Sequence, residues 1–244
     1  MDDLSKNTGF PDPDHGVTMS PMSKAMTTDP PWAVFGLTSN VECQLLADLA
    51  ASVTTGCIVE VGSGTGRATL ALAAGSRLGS NAYVYSLDPH DPFIGPLGGH
   101  VGHERRAIFM TNVARSGLDD LIHMVNLSSE VVSVGWRQPV GMLWIDGDHR
   151  RRSTERDFFC WEPFLLPNAI VAFHDSTDPG QFSDGGPYQV VQSLSRKYKV
   201  QQTCERITVL RYAAQRTNRV SRIIRRCWAL RWRPYQKPSG PSDT

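Results

Sequence analysis

The sequence predicts an α/β fold: one domain built on a Rossmann-like, doubly wound, mostly parallel sheet of seven strands. Three observations carry this. The run Met142–Ile145, inside the stretch Gly141 to His149, is the apolar pattern of a strand buried on both faces. A second such run, Ala169–Phe173, also stops abruptly on polar residues, His174 and Asp175. Strand and helix patterns then alternate through the middle of the chain, as a parallel sheet with crossover helices requires.

The elements follow in order. Residues 1–31 are rich in Pro, Asp, Ser, Thr and Met without an apolar period and read as a disordered leader, with order starting near Trp32. From Ser39 to Val53, Val41, Leu45, Leu46, Leu49 and Ala50 recur at helical spacing, with Ser39 or Asn40 as N-cap. The first strand, Cys57–Val61, enters Gly62-Ser63-Gly64-Thr65-Gly66 and a helix through Ala68, Leu70, Leu72 and Ala73. Glycines at such a turn accept positive φ and let backbone N–H groups approach a ligand. The next strand, Ala82–Leu87, ends in Asp88, 22 positions beyond Gly66. An acid there accepts hydrogen bonds from ribose hydroxyls; the competing reading is a plain cap.

Asp91–His103 reads as a flexible Gly/Pro/His loop, Glu104–Arg115 as a helix, Leu121–Asn126 as a strand and Ser128–Glu130 as the start of a short helix. After the strand ending at Ile145 come a polar helix over 153–164 and the strand ending in Asp175. A long loop, a helix over 188–198 and strands at 199–203 and 206–212 close the domain. The expected boundaries are therefore a leader, 1–31, a domain, 32–212, and a tail, 213–244.

Composition narrows the class. With 244 residues and 40% hydrophobic content, the chain buries one sizeable core. No apolar run approaches the roughly 18 residues of a membrane span, and the acidic N-terminus lacks the order of a signal peptide, so a cytoplasmic location is expected. The five cysteines are widely spaced without a CxxC pair and read as reduced thiols. Up to residue 210 there are 16 Lys and Arg against 23 Asp and Glu, a net of −7, whereas from residue 211 there are 9 against 1, a net of +8. A basic tail follows an acidic body.

In open α/β sheets ligands bind past the carboxyl ends of the strands. Asp146, Asp148 and His149 after one strand and His174 and Asp175 after another make up a hard-metal or acid/base site. The blander reading is that Asp-Gly-Asp is turn chemistry, which a second polar strand end makes less attractive.

The segment Glu60-Val61-Gly62-Ser63-Gly64-Thr65-Gly66 resembles the first motif of class I S-adenosylmethionine-dependent methyltransferases, and Asp88 resembles their ribose-binding acid. More narrowly, Ile145-Asp146-Gly147-Asp148-His149 with Phe173-His174-Asp175 resembles the metal-dependent sugar O-methyltransferases of the macrocin O-methyltransferase-like group. The resemblance spans roughly residues 39–212. It implies cofactor contacts by Glu60, Gly62, Ser63, Gly64, Gly66, Asp88 and Asp146, with Asp146, His174 and Asp175 as metal ligands. It also implies Asp148 or His149 as general base. Relatives commonly carry an acid where this chain has His174, so either the preference moves from Mg²⁺ toward a softer divalent ion or the ligand set is incomplete. The activity implied is O-methylation of a hydroxyl on a small molecule, sugar or glycolipid. No nucleic-acid partner is expected.

Two alternatives stand beside it. A nicotinamide-dependent oxidoreductase also uses a glycine turn and distal acid, but the turn here is GlyxGlyxGly and no TyrxxxLys pair is present. The other is a catalytically silent, membrane-tethered binding protein with the same fold. In the tail, Val220, Ile223, Ile224, Cys227 and Trp228 fall on one helical face with Arg219, Arg222, Arg225 and Arg226 on the others. Such a helix lies in an anionic membrane interface, here the inner face of the plasma membrane, or packs on its own domain or a second subunit. On the membrane reading, full-length protein co-sediments with anionic vesicles and a chain ending at Tyr212 does not; equal sedimentation removes the membrane role.

Overall fold

The computed structural model describes residues 29–212 except Gly99, Gly102, His103 and Arg196. The leader up to residue 28 and the tail from residue 213, with its basic helical pattern, lie outside the described residues. The chain divides into a short unit, Met1–Pro30, and a unit beginning at Pro31 that holds every described helix and strand. No helix among the described residues is long and apolar enough to cross a membrane.

Helix α1 (Asn40–Ala51) leads into β1 (Cys57–Val61), α2 (Arg67–Leu78) and β2 (Val84–Leu87). A small hairpin, β3 (Phe93–Ile94) with β4 (His100–Val101), precedes α3 (Glu104–Ser116), β5 (Ile122–Val125), α4 (Ser129–Gly135) and β6 (Val140–Ile145). Then follow α5 (Arg151–Trp161), β7 (Leu165–Phe173), α6 (Gly186–Leu194), β8 (Tyr198–Cys204) and β9 (Ile207–Tyr212). The main sheet has seven strands in the order β5-β2-β1-β6-β7-β9-β8. β5, β2, β1, β6 and β7 run parallel, and β9 is antiparallel to both its neighbours.

Two cores sandwich this sheet, and the pleat sorts residues between them. Along β6, Met142 and Trp144 join Leu46, Leu70 and Phe109 beneath α1, α2 and α3. Leu143 and Ile145 face the opposite way, onto Phe158, Trp161 and Val190 beneath α5 and α6. Every residue of β1 and β6 is buried; β6 accordingly reads as an apolar run, whereas β1 also buries Glu60.

Helix α1 starts at a reciprocal cap: the Glu42 N–H donates to Ser39 Oγ (3.1 Å) and the Ser39 N–H donates to Glu42 Oε2 (2.8 Å). The predicted loop over 91–103 contains the β3–β4 hairpin, tied down where Arg150 Nη2 donates to the Ile94 carbonyl (2.9 Å). β7 begins at Leu165, earlier than Ala169; the exposed Pro167 and Asn168 interrupt its apolar run, and Asn168 takes a φ of 64°. α6 ends at Leu194, and Tyr198, read as helical, opens β8 with its hydroxyl donating to Glu162 (2.7 Å).

Gly75 marks the closest approach of α2 to α1, since a Cβ there would land on the Ala47 carbonyl. Gly75→Ala is expected to cost about 1–3 kcal/mol through overpacking, seen as a lower melting temperature, with the α-helical circular dichroism retained.

Candidate functional site at the carboxyl edge of the sheet

β1 lies between β2 and β6, so successive crossovers leave it in opposite directions, and the crevice above this switch point is where α/β sheets bind ligands. The glycine turn fills one side. Gly62, Gly64 and Gly66 have φ of 88°, 51° and 91°. At Gly62 the requirement is double, because a Cβ would strike the carbonyl of Asp146 on the next strand. The Asp88 carboxylate shapes this turn: Oδ2 accepts the N–H groups of Ser63 (3.1 Å) and Gly64 (3.0 Å), while Oδ1 accepts the His90 N–H (2.8 Å). His90, held at φ 53° and buried, closes the arrangement through Nε2 to the Gly64 carbonyl (3.0 Å) and Nδ1 to the Asn126 amide (2.9 Å). Ser63 Oγ is buried without a hydrogen-bond partner.

The strand-end residues gather on the other side. In register, Val61 of β1 faces Ile145 of β6, which faces Phe173 of β7, so the residues that follow share one edge. His174 Nδ1 lies 2.8 Å from Asp146 Oδ1 and 3.7 Å from Asp175 Oδ2. His149 bridges the same acids, Nε2 to Asp146 Oδ1 at 3.2 Å and Nδ1 to Asp175 Oδ2 at 3.3 Å. Phe182, buried in the loop that follows β7, sets its ring 5.4 Å from that of His149.

Two residues that the sequence did not single out complete the cluster. Glu42 of α1 has no exposure at all, and its Oε2 accepts from His174 Nε2 (3.4 Å) and from Arg206 Nη2 (3.0 Å). Arg206, in the turn between β8 and β9, also donates Nη1 to Asp175 (3.2 Å) and Nη2 to the Leu37 carbonyl (2.6 Å). Burial by itself would push the His174 imidazole down, but the Asp146 carboxylate, helped by Glu42 and Asp175, outweighs it and raises the pKa to about 10. Burial would likewise raise Asp146 and Glu42. The His174 charge and the His149 hydrogen bond instead hold Asp146 far below the usual carboxylate range. The hydrogen bonds from His174 and Ser39 hold Glu42 at about 2.

Asp148 is not brought into the cluster. Its carboxylate accepts from Arg150 Nη1 (3.0 and 2.9 Å) and Ser153 Oγ (2.9 Å), at the start of α5. Glu60 is also set apart. It is fully buried on the α2 face, and its Oε2 accepts from Thr69 Oγ1 and Ser86 Oγ, both at 2.5 Å, while Oε1 has no partner.

Asp146, His149 and His174 each offer one ligand atom, all within 4.8 Å of one another. His174 Nδ1 is buried and makes ion-pair contacts without a directed hydrogen bond. This donor set fits a divalent ion, and its two imidazoles suit a borderline-soft ion better than Mg²⁺.

Residues 59–176 match the family model described as a methyltransferase domain. Over this stretch, a little under half of its length, the chain is similar to methyltransferase domains. Solved structures agree on the fold. The O-methyltransferase from Bacillus cereus, in complex with SAH, is similar at 18% identity and a TM-score of 0.54, over 71% of this chain and 81% of that one. The O-methyltransferase TomG from Streptomyces achromogenes, involved in tomaymycin synthesis and in complex with SAM, is similar at 16% identity and a TM-score of 0.55, over 73% and 82%. A methyltransferase from Geobacter sulfurreducens is similar at 16% identity and a TM-score of 0.54, over 73% and 82%. The methyltransferase domain thus sits on the class I fold, whose antiparallel β9 between β7 and β8 departs from the six-strand dinucleotide order 3-2-1-4-5-6. The nicotinamide alternative loses its ground.

Glu60 yields a test by pH. Burial, with lesser repulsion from Asp146 and Asp88, raises its pKa from 4.5 to about 8. The folded state therefore keeps a proton that the unfolded chain has lost, and stability falls as pH rises between these values. Melting temperature is expected to fall with pH over this window in the wild type, and Glu60→Gln is expected to flatten that slope.

Proposed function

We propose that this methyltransferase is an S-adenosylmethionine-dependent O-methyltransferase, assisted by a divalent metal, acting on a hydroxyl of a sugar, glycolipid or natural-product acceptor. The observation that carries the reading is the convergence of Asp146, His149, His174 and Asp175 beside the Gly62–Gly66 turn. The O-methyl assignment draws on the names of the structural neighbours from Bacillus cereus and Streptomyces achromogenes. The sugar acceptor draws on the paired strand-end motifs. A cytoplasmic enzyme resting on an anionic membrane through its basic tail would meet lipid-linked glycans.

The turn offers the orphaned Ser63 hydroxyl and the remaining lone pairs of Asp88 to the cofactor, and Asp88, by accepting the Ser63 and Gly64 N–H groups, is also what keeps the turn in shape. S-adenosylmethionine brings a methyl group already activated on its sulfonium sulfur. The protein's share is positioning and deprotonation, because an alcohol is too weak an acid to ionise at neutral pH. In this reading His149 takes that proton. It lies in hydrogen-bond range of two carboxylates, which fix the ring. Asp146 and His174, with Asp175, would hold a divalent ion, which lowers the pKa of a hydroxyl it touches. In a second reading, favoured by the three ligand atoms within 4.8 Å, His149 is itself the third ligand.

The two separate by mutation. As base, His149→Ala lowers kcat about 10²–10⁴-fold while calorimetry shows unchanged S-adenosylmethionine and Zn²⁺ affinity. As ligand, it loses Zn²⁺ affinity as well. Asp148→Asn is expected to leave kcat within a few-fold of wild type, and Asp88→Ala to lose S-adenosylmethionine binding. Mass spectrometry of cell-envelope glycolipids with and without the gene reads the reaction itself: one species is expected to lose a single CH₂ in the deletion, and no such change removes the glycolipid acceptor.

A further inference from the structure

We infer that Glu42 is a positioning residue for His174, holding the imidazole so that Nδ1 faces Asp146 and is the nitrogen that would exchange its proton for a metal ion. The inference rests on the metal-assisted reading above. Glu42 at first sight only completes the cap of α1, since its carboxylate receives the Ser39 N–H. A carboxylate confined to that role at N3 stays in water, yet Glu42 is wholly buried. Its other contacts come from far along the chain: His174 Nε2, 132 residues away, and the backbone N–H (3.1 Å) and guanidinium of Arg206, 164 residues away.

Every lone-pair direction that faces a donor is therefore used, and the group has no freedom to leave the imidazole. With Nε2–H committed to Glu42 at 3.4 Å, only Nδ1 is left to the cluster, 2.8 Å from Asp146 Oδ1. Metal-binding histidines are commonly fixed in this way, the far nitrogen donating to a carboxylate that sets the tautomer and makes the near nitrogen more basic. Trp144, edge-on to the ring at 5.6 Å between centroids, blocks rotation from the side of the sheet. Arg206 pairs with both Glu42 and Asp175 and offsets one of their two negative charges. Glu42, from another element, thus supplies a carboxylate behind His174.

The test uses the full-length chain with Zn²⁺ followed by calorimetry and Co²⁺ by its visible absorption. Glu42→Gln is expected to weaken both affinities about 10–100-fold. Ser39→Ala, which loses the hydroxyl cap but keeps the Ser39 backbone N–H and the carboxylate, is expected to melt lower and bind both ions as wild type does. Glu42→Gln binding as tightly as wild type overturns the inference and leaves the metal reading standing. A wild-type chain that binds neither ion overturns both. Should Glu42→Gln fail to fold, nitrogen NMR of histidine-labelled wild type decides: the inference requires the His174 proton to stay on Nε2 when Zn²⁺ is added, and its loss from Nε2 overturns it.

Discussion

The parallel register of β1, β6 and β7 is the constraint on which the rest depends. Because Val61, Ile145 and Phe173 are aligned, the next residues of three strands emerge together at one edge. Two of them, His174 and Asp175, are buried there, and a buried charge costs several kcal/mol unless it is paired. The pairing that results draws Asp146, Asp175 and Glu42 onto two cations, His174 and Arg206. The opposite displacements of His174 upward and Asp146 and Glu42 downward express this mutual neutralisation in a space with little water to share the task.

Helix α1 and the segment before it bind the two halves of the site into one. Arg67 Nη1 donates to the Val34 carbonyl (2.5 Å) and Thr65 Oγ1 to the Phe35 carbonyl (2.5 Å), which pins this segment over the glycine turn. Two residues later the Leu37 carbonyl accepts from Arg206, beside the charged cluster. The turn and the acids are thus joined not only through the sheet but also through a strap of a few residues whose carbonyls serve as anchors. A helix that by sequence merely leads into the sheet sets the geometry on both sides of the crevice.

The donor types of Asp146, His149 and His174 bear on which ion this edge would suit. Three carboxylates match a hard ion; one carboxylate and two imidazoles match a borderline one. Glu42, one layer further out, adds a carboxylate behind the His174 imidazole.

Much of this was legible in the chain itself. The apolar runs at Met142–Ile145 and Ala169–Phe173 located the strands because burial on both faces leaves no room for polar residues, and their abrupt ends located the acids and imidazoles. The glycine turn and Asp88 were legible for a similar local reason, positive φ and a strand end. What the sequence did not decide was partnership. Asp148 and His149 are neighbours with equal chemical claim, and only the fold turned one toward Arg150 and Ser153 and the other toward Asp146 and Asp175. Glu42 fell within the helix read over 39–53 and Arg206 at the start of the strand read over 206–212, and neither pattern singled them out. Periodicity and spacing report on backbone hydrogen bonds and burial within one segment, whereas an ion pair across 132 or 164 residues exists only once helix, strand and turn have packed. The sequence by itself determined the sheet and the edge on which chemistry takes place; the tertiary structure decided which side chains meet there, because contact between distant segments is a property of packing.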